Sequence, residues 1–405
     1  MSDIDRVLVV GGGPVGAITG LRLAQLGIPV TVFDRLDKPA EDHRAATLQP
    51  STLDLFAPLG LTDELIRQGL KSPLFQWRDR ATQQIIAEFD YGRLKDDTAF
   101  PFVIQVEQHK TVNVALAAAR KLACFTLIRT ADVTEVSQGA DWVEAKVTLE
   151  DGTTETHRGR WMVGADGGRS IVRKAIDVSF EGFTWPERFN IVTTTRDFEK
   201  AMGFRLRNYC AHPERWTALM KVPGENFEGL WRCVFPAKTE ERDEEVMSDR
   251  WIHARFDECL PDAAPYEIIH RNMYNVHQRV AGAFAKGRIA LAGDSAHINN
   301  PIGGMGMNSG FQDGLNLAEK LSAIWHGADP EPLLARYDRQ RRLTAIEYVQ
   351  AQTIANKRML EERDPDLRRQ TLDTLRATAD DPEAHHELVL RSSLIAMKRK
   401  ADEIA

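Results

Sequence analysis

The chain has 405 residues, 43% hydrophobic and 27% charged, as expected for a globular protein with two or three domains. Its formal net charge of -7, without a basic block, argues against a nucleic-acid-binding role. No apolar run approaches the length of a membrane helix, and the N-terminus leads directly into a strand pattern, which leaves no room for a signal peptide.

The cysteine pattern indicates neither a disulfide framework nor a metal site. Cys124, Cys210, Cys233 and Cys259 are scattered without C-x-x-C or metal-ligand spacing. Cysteines used in this way are typical of a reducing compartment. We therefore expect a cytoplasmic protein with free thiols and no bound metal.

The first informative stretch predicts a dinucleotide-binding unit. An apolar run over Arg6–Val10 reads as a buried parallel strand, and a helix pattern follows as far as Leu26. The turn between them has the spacing G-x-G-x-x-G and contains Gly11, Gly13, Pro14 and Gly16. Such glycines allow a tight turn, close approach of a pyrophosphate and close helix–strand packing, while the helix N-terminus attracts phosphate. A second strand ends at Asp34, which is placed to bind a ribose diol. The motif alone leaves FAD and NAD(P) open.

Between residues 42 and 149 the pattern predicts loops, helices and strands in alternation. A polar loop containing Arg44 precedes a helix capped by Ser51. Alternating apolar and polar residues from Pro73 to Phe89 favour a strand hairpin. A short extended segment over 102–108 leads into a helix, and three strands are predicted over 125–149. Taken alone, Arg44 is either a solvated loop residue or a cation that returns to the bound phosphates or flavin.

Two further strands end in a turn that carries glycine and aspartate. The strand Trp161–Gly164 leads to Asp166 and then to Ser170, a candidate helix N-cap; a capped turn without a ligand is the alternative. The apolar run from Arg288 leads to Gly293 and Asp294, then to a glycine-rich loop and a helix pattern that reaches Ile324.

The composition changes from residue 180 to residue 280, where aromatic residues and short strand patterns dominate. This segment predicts an antiparallel sheet with one face free to cover a ligand. We therefore predict a discontinuous nucleotide-binding domain (residues 1–72, 100–180 and 276–330), an inserted substrate-binding sheet (73–99 and 181–275) and a C-terminal helical segment (331–405). Arg341, in that last segment, reads as part of a solvated or ion-paired helix face.

Together, the three glycine–aspartate stretches resemble the class A flavoprotein aromatic hydroxylases related to p-hydroxybenzoate hydroxylase. Phe180–Arg188 and Val276–Val280 resemble the branch that acts on phenol and 3-hydroxyphenylpropionate. The resemblance spans roughly residues 5 to 350. It implies an α/β fold, with a Rossmann-like FAD-binding domain (GR2-type), an inserted antiparallel-sheet substrate domain and C-terminal helices.

The resemblance also implies the cofactors and the reaction. FAD is the implied bound cofactor, with NADH or NADPH as electron donor. A flavin C4a-hydroperoxide would transfer a hydroxyl group to a phenolic or hydroxylated heteroaromatic ring. A homodimer is a family expectation.

Site residues are implied in the same way. Asp34 would hold the AMP ribose, Asp294 the ribityl or pyrophosphate end, and Asp166 would give indirect support. A helix opening at Gly304–Asn308 would face the N1 and C2 carbonyl edge of the flavin. The implied cofactor-binding set is Gly11, Gly13, Pro14, Gly16, Asp34, Arg35, Arg44, Gln105, Val133, Asp166, Asp294, Pro301, Gly304, Gly306, Met307 and Asn308.

For the substrate, Tyr209 resembles the phenol-activating tyrosine of p-hydroxybenzoate hydroxylase, and a structural core tyrosine is the alternative. Arg207, Arg232 and Pro301 are further candidate substrate contacts. The strand at Ala218–Val222 lacks the serine and arginine that would hold a benzoate carboxylate, and Ala46 stands where phenol hydroxylases carry an acid. His297 reads as a packed structural histidine.

A second hypothesis is a flavoprotein that does not hydroxylate, such as a redox sensor, or a flavin-dependent reductase or halogenase of the same fold. The halogenase signature W-x-W-x-I-P is absent from the sequence. The Gly303–Asn308 loop argues against a protein without turnover.

Overall fold

The computed structural model describes residues 4–41, 45–259 and 266–405. The first elements are β1 (Val7–Val10), α1 (Pro14–Gln25), β2 (Val30–Phe33), β3 (Thr47–Leu48), α2 (Pro50–Phe56), α3 (Thr62–Gln68), β4 (Leu70–Ser72), β5 (Leu74–Asp79), β6 (Ile85–Asp90), β7 (Val103–Gln105) and α4 (Gln108–Ala119). Next come β8 (Phe125–Ile128), β9 (Asp132–Gln138), β10 (Val143–Thr148), β11 (Thr154–Gly159), β12 (Trp161–Gly164), α5 (Ile171–Ala175), β13 (Phe180–Thr194), α6 (Phe198–Met202), β14 (Arg207–Ala211), β15 (Thr217–Val222), β16 (Leu230–Ala237), α7 (Asp243–Val246) and α8 (Asp249–Cys259).

The remaining elements are β17 (Ile268–Ala281), β18 (Ala285–Lys286), β19 (Ile289–Leu291), β20 (His297–Ile298), α9 (Gly306–Trp325), α10 (Pro330–Thr344), α11 (Ala351–Glu361), α12 (Pro365–Asp380), α13 (Pro382–Ser392) and α14 (Ile395–Glu403). A π-helical turn, Ala345–Gln350, joins α10 to α11. No helix in the described ranges is long and apolar enough to cross a membrane.

A six-stranded sheet carries the glycine-rich turns. Its order is β18-β19-β12-β1-β2-β8, and all pairs except β18–β19 are parallel. Every residue of β1, β2, β12 and β19 is buried, as expected for parallel strands with both faces covered. Because β1, β2, β12 and β19 are parallel, the three predicted glycine–aspartate turns all lie at the carboxyl-terminal ends of the strands, on one side of the sheet.

Helices α1 and α9 pack closely beneath these turns. A Cβ on Gly314 of α9 would lie 2.2 Å from Thr19 Oγ1 of α1, and one on Gly310 would lie 2.7 Å from Val15 Cγ2. Only glycine permits this approach, because any larger residue would force the helices apart. The close contact fixes the N-terminus of α9 next to the first glycine turn.

An eight-stranded sheet forms the second large unit, in the order β20-β17-β13-β16-β15-β14-β5-β6. The predicted hairpin is present as β5 and β6, and the segment with short strand patterns contains the long strands β13 and β17. The sheet is antiparallel except that β14 pairs with β5 in parallel, which corrects the purely antiparallel prediction. The edge strand β20 belongs to this sheet, although it lies within residues 276–330, which we predicted to belong to the nucleotide-binding domain. The domain limits stay a prediction.

Side chains alternate between the two faces of this sheet. On one face, Tyr209, Ala218 and Val234 belong to a core with Ile302 and residues of the C-terminal helices, including Leu360 and Leu375. We call this the helix-covered face. The opposite face packs against α8, through a core that contains Trp231, Phe235, Trp251 and Phe256.

The C-terminal helices are attached to the sheet through polar contacts as well as packing. The His212 N–H donates to the Leu360 carbonyl at 2.9 Å, and the Asp90 N–H donates to His385 Nε2 at 2.8 Å. Arg368 forms an ion pair with Asp79 at 2.8 Å. The C-terminal segment is therefore part of the wall over this sheet.

Two small three-stranded sheets complete the fold, in the orders β11-β10-β9 and β3-β7-β4. The second brings Thr47 of β3 opposite Gln105 of β7. The four cysteines are free thiols, as predicted.

Candidate functional site

The first glycine turn is shaped by backbone contact. Gly11 has a φ of +99°, and a Cβ there would lie 2.4 Å from the Ala165 carbonyl oxygen. A Cβ on Gly16 would lie 1.8 Å from the carbonyl oxygen of Gly11. By contrast, a Cβ on Gly13 would meet no atom within 4 Å. Two glycines therefore hold the turn together, and Gly13 leaves space at its surface.

Asp34 holds the turn from the end of β2. Its Oδ2 accepts a 2.8 Å hydrogen bond from the Gly12 N–H, and its Oδ1 accepts one of 2.8 Å from the Leu36 N–H. Arg129 lies 4.0 Å from the same carboxylate. The acid predicted to bind a ribose is thus fixed beside the glycine turn.

Replacing Asp34 by alanine is expected to weaken FAD binding about 10- to 100-fold, because hydrogen bonds to a charged group contribute about 1.5–3 kcal/mol each. FAD titration of the apoprotein, followed by flavin fluorescence, gives the dissociation constant. Asp37→Ala, three residues further on at an exposed position, is the control. Equal dissociation constants for the two variants would contradict a cofactor role for Asp34.

Asp166 caps a helix. Its Oδ1 accepts a 2.6 Å hydrogen bond from Ser170 Oγ, and its Oδ2 accepts one of 2.7 Å from the Ile171 N–H. Burial raises the pKa of the Asp166 carboxyl, although these hydrogen bonds act in the opposite direction. The carboxylate is thus engaged by its own turn, an arrangement suited to indirect support of a ligand.

Arg173, on the helix that Asp166 caps, links the second turn to the third. Its Nη1 donates to the Ser295 carbonyl at 2.9 Å, and its Nη2 donates to the Gly168 carbonyl at 3.0 Å. The guanidinium also stacks on Phe180, 3.8 Å from the ring centroid. The second and third turns are therefore bound to each other directly.

A buried ion cluster lies under the third turn. Asp313 Oδ1 accepts a 2.7 Å hydrogen bond from Arg341 Nε, while its Oδ2 contacts His297 Nε2 at 2.8 Å and accepts from the Gly293 N–H at 3.1 Å. Burial alone would raise the pKa of Asp313, but the interactions with His297 and Arg341 outweigh it, so the pKa lies below its ordinary value. His297 is a packed histidine, as predicted, and stacks on Phe284.

Asn308 connects the start of α9 to the segment after β3. Its Oδ1 accepts from the Gln49 N–H at 2.9 Å and from Thr52 Oγ1 at 2.7 Å. Its Nδ2 donates to the Thr47 and Gly304 carbonyls at 2.8 and 2.7 Å. The side chain of Asn308 is thus saturated by protein, and what it presents outward is the helix N-terminus.

The same region contains buried polar atoms that have no partner among the described residues. Gln105 Oε1 accepts from Thr47 Oγ1 at 2.8 Å, but Gln105 Nε2 is buried and unpaired. Gln49 donates to the Gly303 carbonyl at 3.0 Å, whereas its Oε1 is also unpaired. Because an unpaired buried polar group costs about 1–3 kcal/mol, these atoms fit a polar ligand here. The space at Gly13 and these amides are both consistent with a dinucleotide cofactor.

A cationic and phenolic group lies on the helix-covered face. Arg207 Nη1 donates to Tyr91 Oη at 2.7 Å, and its Nη2 donates to Tyr209 Oη at 2.9 Å. The same Nη2 lies 3.4 Å from the carbonyl oxygen of Gly303. The candidate substrate residues Arg207 and Tyr209 therefore reach the loop in which the cofactor contacts were predicted.

The other predicted residues are distributed around this region. Asp294 and Arg35 are exposed, Pro301 and Met307 are half-buried, and Val133 is buried on β9. Arg232 is buried on β16. Arg44 lies outside the described residues. Among those that are described, no group of three or more His, Cys, Asp or Glu side chains could hold a metal ion.

Sequence reasoning missed four residues that shape the site: Tyr91, Arg173, Asp313 and Arg341. Of these, Arg341 was read as part of a solvated or ion-paired helix face; the ion pair is present, but it is buried rather than at the surface. Asp313 carried a usable signal, since an acid in an apolar helix pattern five residues after Asn308 needs a buried partner. Tyr91 had no such signal, because its role depends on the pairing of β5 with β14.

Comparison with known proteins adds a family and a function class. Residues 5–352 match the FAD binding domain family. The chain is 33% identical over 368 residues to para-nitrophenol 4-monooxygenase of Pseudomonas sp. (strain WBC-3), covering 90% of this chain and 89% of that protein. It is 30% identical over 366 residues to 6-hydroxy-3-succinoylpyridine 3-monooxygenase of Pseudomonas putida (strain DSM 28022 / S16), covering 90% and 91%.

Solved structures show the same arrangement of elements. The p-nitrophenol 4-monooxygenase of Pseudomonas putida DLL-E4 superposes with a TM-score of 0.90 at 31% identity, covering 96% of this chain and 97% of that one. A ternary complex of aklavinone-11 hydroxylase with FAD and aklavinone superposes with a TM-score of 0.79 at 26% identity, covering 89% and 70%.

Proposed function

Because the chain belongs to the FAD binding domain family, we propose that it is an FAD-dependent aromatic-ring monooxygenase that uses NADH or NADPH and O₂. Its substrate is a phenolic or hydroxylated heteroaromatic ring. Two relatives at 30% identity or above that span most of this chain are named as monooxygenases of a nitrophenol and of a hydroxypyridine. These names support the reaction class and the kind of ring.

One observation carries the proposal. Arg207, on the helix-covered face, contacts both the hydroxyl of Tyr209 and the carbonyl of Gly303. The side chains that we propose to contact the ring therefore lie next to the loop that precedes α9. A ring bound on this face would lie next to a cofactor held by that loop.

Residues of the chain would position and stabilise the cofactor. FAD, when bound, supplies the redox and oxygen chemistry. The turn at Gly11–Gly16 and Asp34 would hold its adenine half. The N-terminus of α9, a 20-residue helix, would stabilise negative charge on the flavin edge. The helices over the sheet would exclude water from the ring.

The test begins with the purified protein. We expect a yellow protein with a flavin spectrum, and faster NADH or NADPH oxidation when the right phenol or hydroxypyridine is added. The product should contain one atom of ¹⁸O from ¹⁸O₂. A flavin-loaded protein that no ring compound stimulates would contradict the proposal and favour a non-hydroxylating flavoprotein.

We propose that Tyr209 activates the substrate. Its oxygen accepts a hydrogen bond from Arg207, which leaves its own proton to donate to the ring oxygen. Tyr209→Phe should lower turnover about 10- to 100-fold with normal FAD content, since a hydrogen bond to a charged group contributes about 1.5–3 kcal/mol. Tyr266→Phe, a buried tyrosine of the opposite core that donates to the Phe256 carbonyl, is the control. Unchanged turnover in Tyr209→Phe would assign Tyr209 a structural role.

We also propose a cytoplasmic location and a homodimer. Four free thiols support a reducing compartment. Size-exclusion chromatography with light scattering tests the oligomeric state, and a monomer would overturn that part.

A further inference from the structure

The π-helical turn Ala345–Gln350 lies between two helices that are attached to different sheets. On α10, Tyr337 Oη donates to the Leu291 carbonyl of β19 at 2.6 Å, which attaches that helix to the parallel sheet. On α11, Leu360 belongs to the core of the helix-covered face. A helix that is held at both ends in this way must direct the correct face inward on each side of the turn.

The turn changes which face of the helix is buried. Thr344 of α10 is buried, and an uninterrupted α-helix with about 3.6 residues per turn would continue its face through positions 351 and 355. Ala351 and Ala355 are instead exposed, and Thr353 is 0% exposed. The Ala351 N–H donates to the Ile346 carbonyl, five residues earlier, as in a π-helix. The extra residue thus rotates α11 by about 100°.

Beyond the turn, the inward face of the helix holds the segment 298–304, which precedes α9 and which we call the cofactor loop. Gln350, the last residue of the turn, donates from Nε2 to the Ile298 carbonyl at 2.9 Å. Asn356 of α11 donates from Nδ2 to the Ile302 carbonyl at 3.3 Å. Two side-chain amides on one helix face therefore fix the loop at two points.

Gln278 of β17 joins the same loop to the same helix. Its Oε1 accepts from the Asn300 N–H at 3.1 Å, and its Nε2 donates to Thr353 Oγ1 at 2.9 Å. Asn300 Nδ2 in turn donates to the Thr353 carbonyl at 3.0 Å. All three residues are buried, so water does not compete for these hydrogen bonds. Gln278 lies in the segment Val276–Val280, and these contacts give that segment a role.

The carbonyl groups of the cofactor loop are engaged by the protein. Hydrogen bonds are accepted by the carbonyl oxygens of Ile298, Asn300, Pro301, Ile302, Gly303 and Gly304. These oxygens are therefore occupied rather than offered to a ligand. The loop leads into the N-terminus of α9, where backbone N–H groups favour negative charge.

We propose that the π-helical turn is a positioning device for the cofactor loop. By directing Gln350, Thr353 and Asn356 inward, it holds the loop, and with it the N-terminus of α9, where negative charge on reduced FAD is stabilised. These three side chains are positioning residues, since they act through the loop. Turns of this kind are rare within α-helices and occur frequently at functional sites. The inference rests on the proposed function, because it concerns how the bound flavin is held.

The test measures the midpoint potential of FAD bound to the full-length protein. Thr353→Val removes the hydroxyl that accepts from Gln278 and leaves a side chain of similar shape. A less firmly held loop should weaken binding of reduced FAD relative to oxidised FAD about tenfold, which lowers the two-electron potential by about 30 mV. Thr353→Ser keeps the hydroxyl and is the matched control, with the wild-type potential expected. A purely structural role would lower the unfolding temperature of Thr353→Val without moving the potential.

Gln350→Met tests the second contact. It removes the donor to the Ile298 carbonyl at nearly unchanged side-chain length, and the potential should again fall by about 30 mV. Gln370→Met, at an exposed position of α12, is the control. Wild-type potentials in both Thr353→Val and Gln350→Met would overturn the inference.

The turn itself is tested by deleting Glu347, an exposed residue within it. The deletion removes the extra residue and rotates α11 back by about 100°, which separates the loop from the side chains that hold it. The FAD dissociation constant should therefore rise more than in either substitution. A deletion protein with wild-type FAD affinity and potential would contradict the role of the turn.

A measurement on the wild-type protein covers variants that fail to fold. Addition of FAD to the apoprotein should slow hydrogen exchange at the amides of residues 345–356 together with those of the cofactor loop, while exchange in α12 stays unchanged. Unaltered exchange over residues 345–356 would overturn the inference without any variant.

The proposed function fails separately. If the potential shifts as expected but no ring compound stimulates NAD(P)H oxidation, the monooxygenase proposal falls and the positioning role stands. If ring compounds are hydroxylated but the potential is the same in all variants, the positioning role falls and the monooxygenase proposal stands. A protein that binds no FAD would overturn both.

Discussion

Gly16→Ala is expected to abolish flavin binding and to leave little folded protein. An alanine Cβ at this position would lie 1.8 Å from the carbonyl oxygen of Gly11, and that oxygen belongs to backbone at the end of a buried strand. No flexible side chain can yield, so α1 must move away from β1. Overpacking of this kind costs more than about 3 kcal/mol. Thermal unfolding and flavin absorbance measure the two losses.

Gly13→Ala separates folding from cofactor binding. Its added methyl group meets no protein atom within 4 Å, so the variant should unfold near the wild-type temperature. The methyl group would nevertheless occupy the surface that a pyrophosphate approaches, and FAD affinity should fall. A Gly13→Ala protein with normal affinity would show that the phosphates bind elsewhere. A stable, yellow Gly16→Ala protein would contradict the packing argument.

Asp313→Asn should destabilise the protein by about 3–5 kcal/mol, the range for breaking a buried ion pair on one side. The side chains of Asp313 and Arg341 are 0% and 1% exposed, so the arginine would be left buried without its anion. The Gly293 N–H would lose its carboxylate acceptor as well. We therefore expect both a lower free energy of unfolding in urea and weaker FAD binding.

Glu319→Gln is the matched control for Asp313→Asn. Glu319 lies on the same helix and pairs with Arg22, but its side chain is 54% exposed, so the change should cost about 0–1 kcal/mol. Equal losses in the two variants would contradict a special role for the buried cluster.

The pH dependence of Asp313→Asn has a definite sign. The folded-state pKa of Asp313 lies below the ordinary value of 3.8, so its contribution is complete above that pH and is lost as the pH falls towards the folded-state pKa. On acidification, the Asp313→Asn variant should therefore lose less free energy of unfolding than the wild-type protein does. Urea unfolding at neutral and acidic pH provides the measurement. An identical acid slope in both proteins would contradict the assignment.

Local sequence patterns were sufficient to predict much of the fold. Continuous apolar runs identified β1, β12 and β19, because parallel strands buried on both faces contain little else. The glycine spacing located the turn at Gly11–Gly16, since Gly11 and Gly16 are required by backbone contacts within the turn or with the strand next to it. Alternation identified the β5–β6 hairpin for the same reason: its pairing is local.

Contacts between segments that are far apart in the chain could not be predicted from local sequence patterns. Asn308 bonds to Thr47 and Thr52, more than 250 residues away, and only its place at a helix start is visible locally. The parallel pair β14–β5 joins strands that are distant in the chain, since Asn208 pairs with Gln76, 132 residues earlier. That pairing creates the Arg207–Tyr91 contact, so the site on the helix-covered face required the tertiary structure.

The C-terminal segment has a consequence for how this protein can diversify. The glycine turns and the helix-covered face come from the sheets, whereas the cover of that face comes from α11 to α13, through residues such as Leu360, Leu375 and Val389. None of these cover residues belongs to a glycine turn. Under the proposed function, mutations there would change what packs over the ring while the glycine turns of the parallel sheet keep their own contacts. Selection for new rings can thus act on one end of the gene with little penalty at the other.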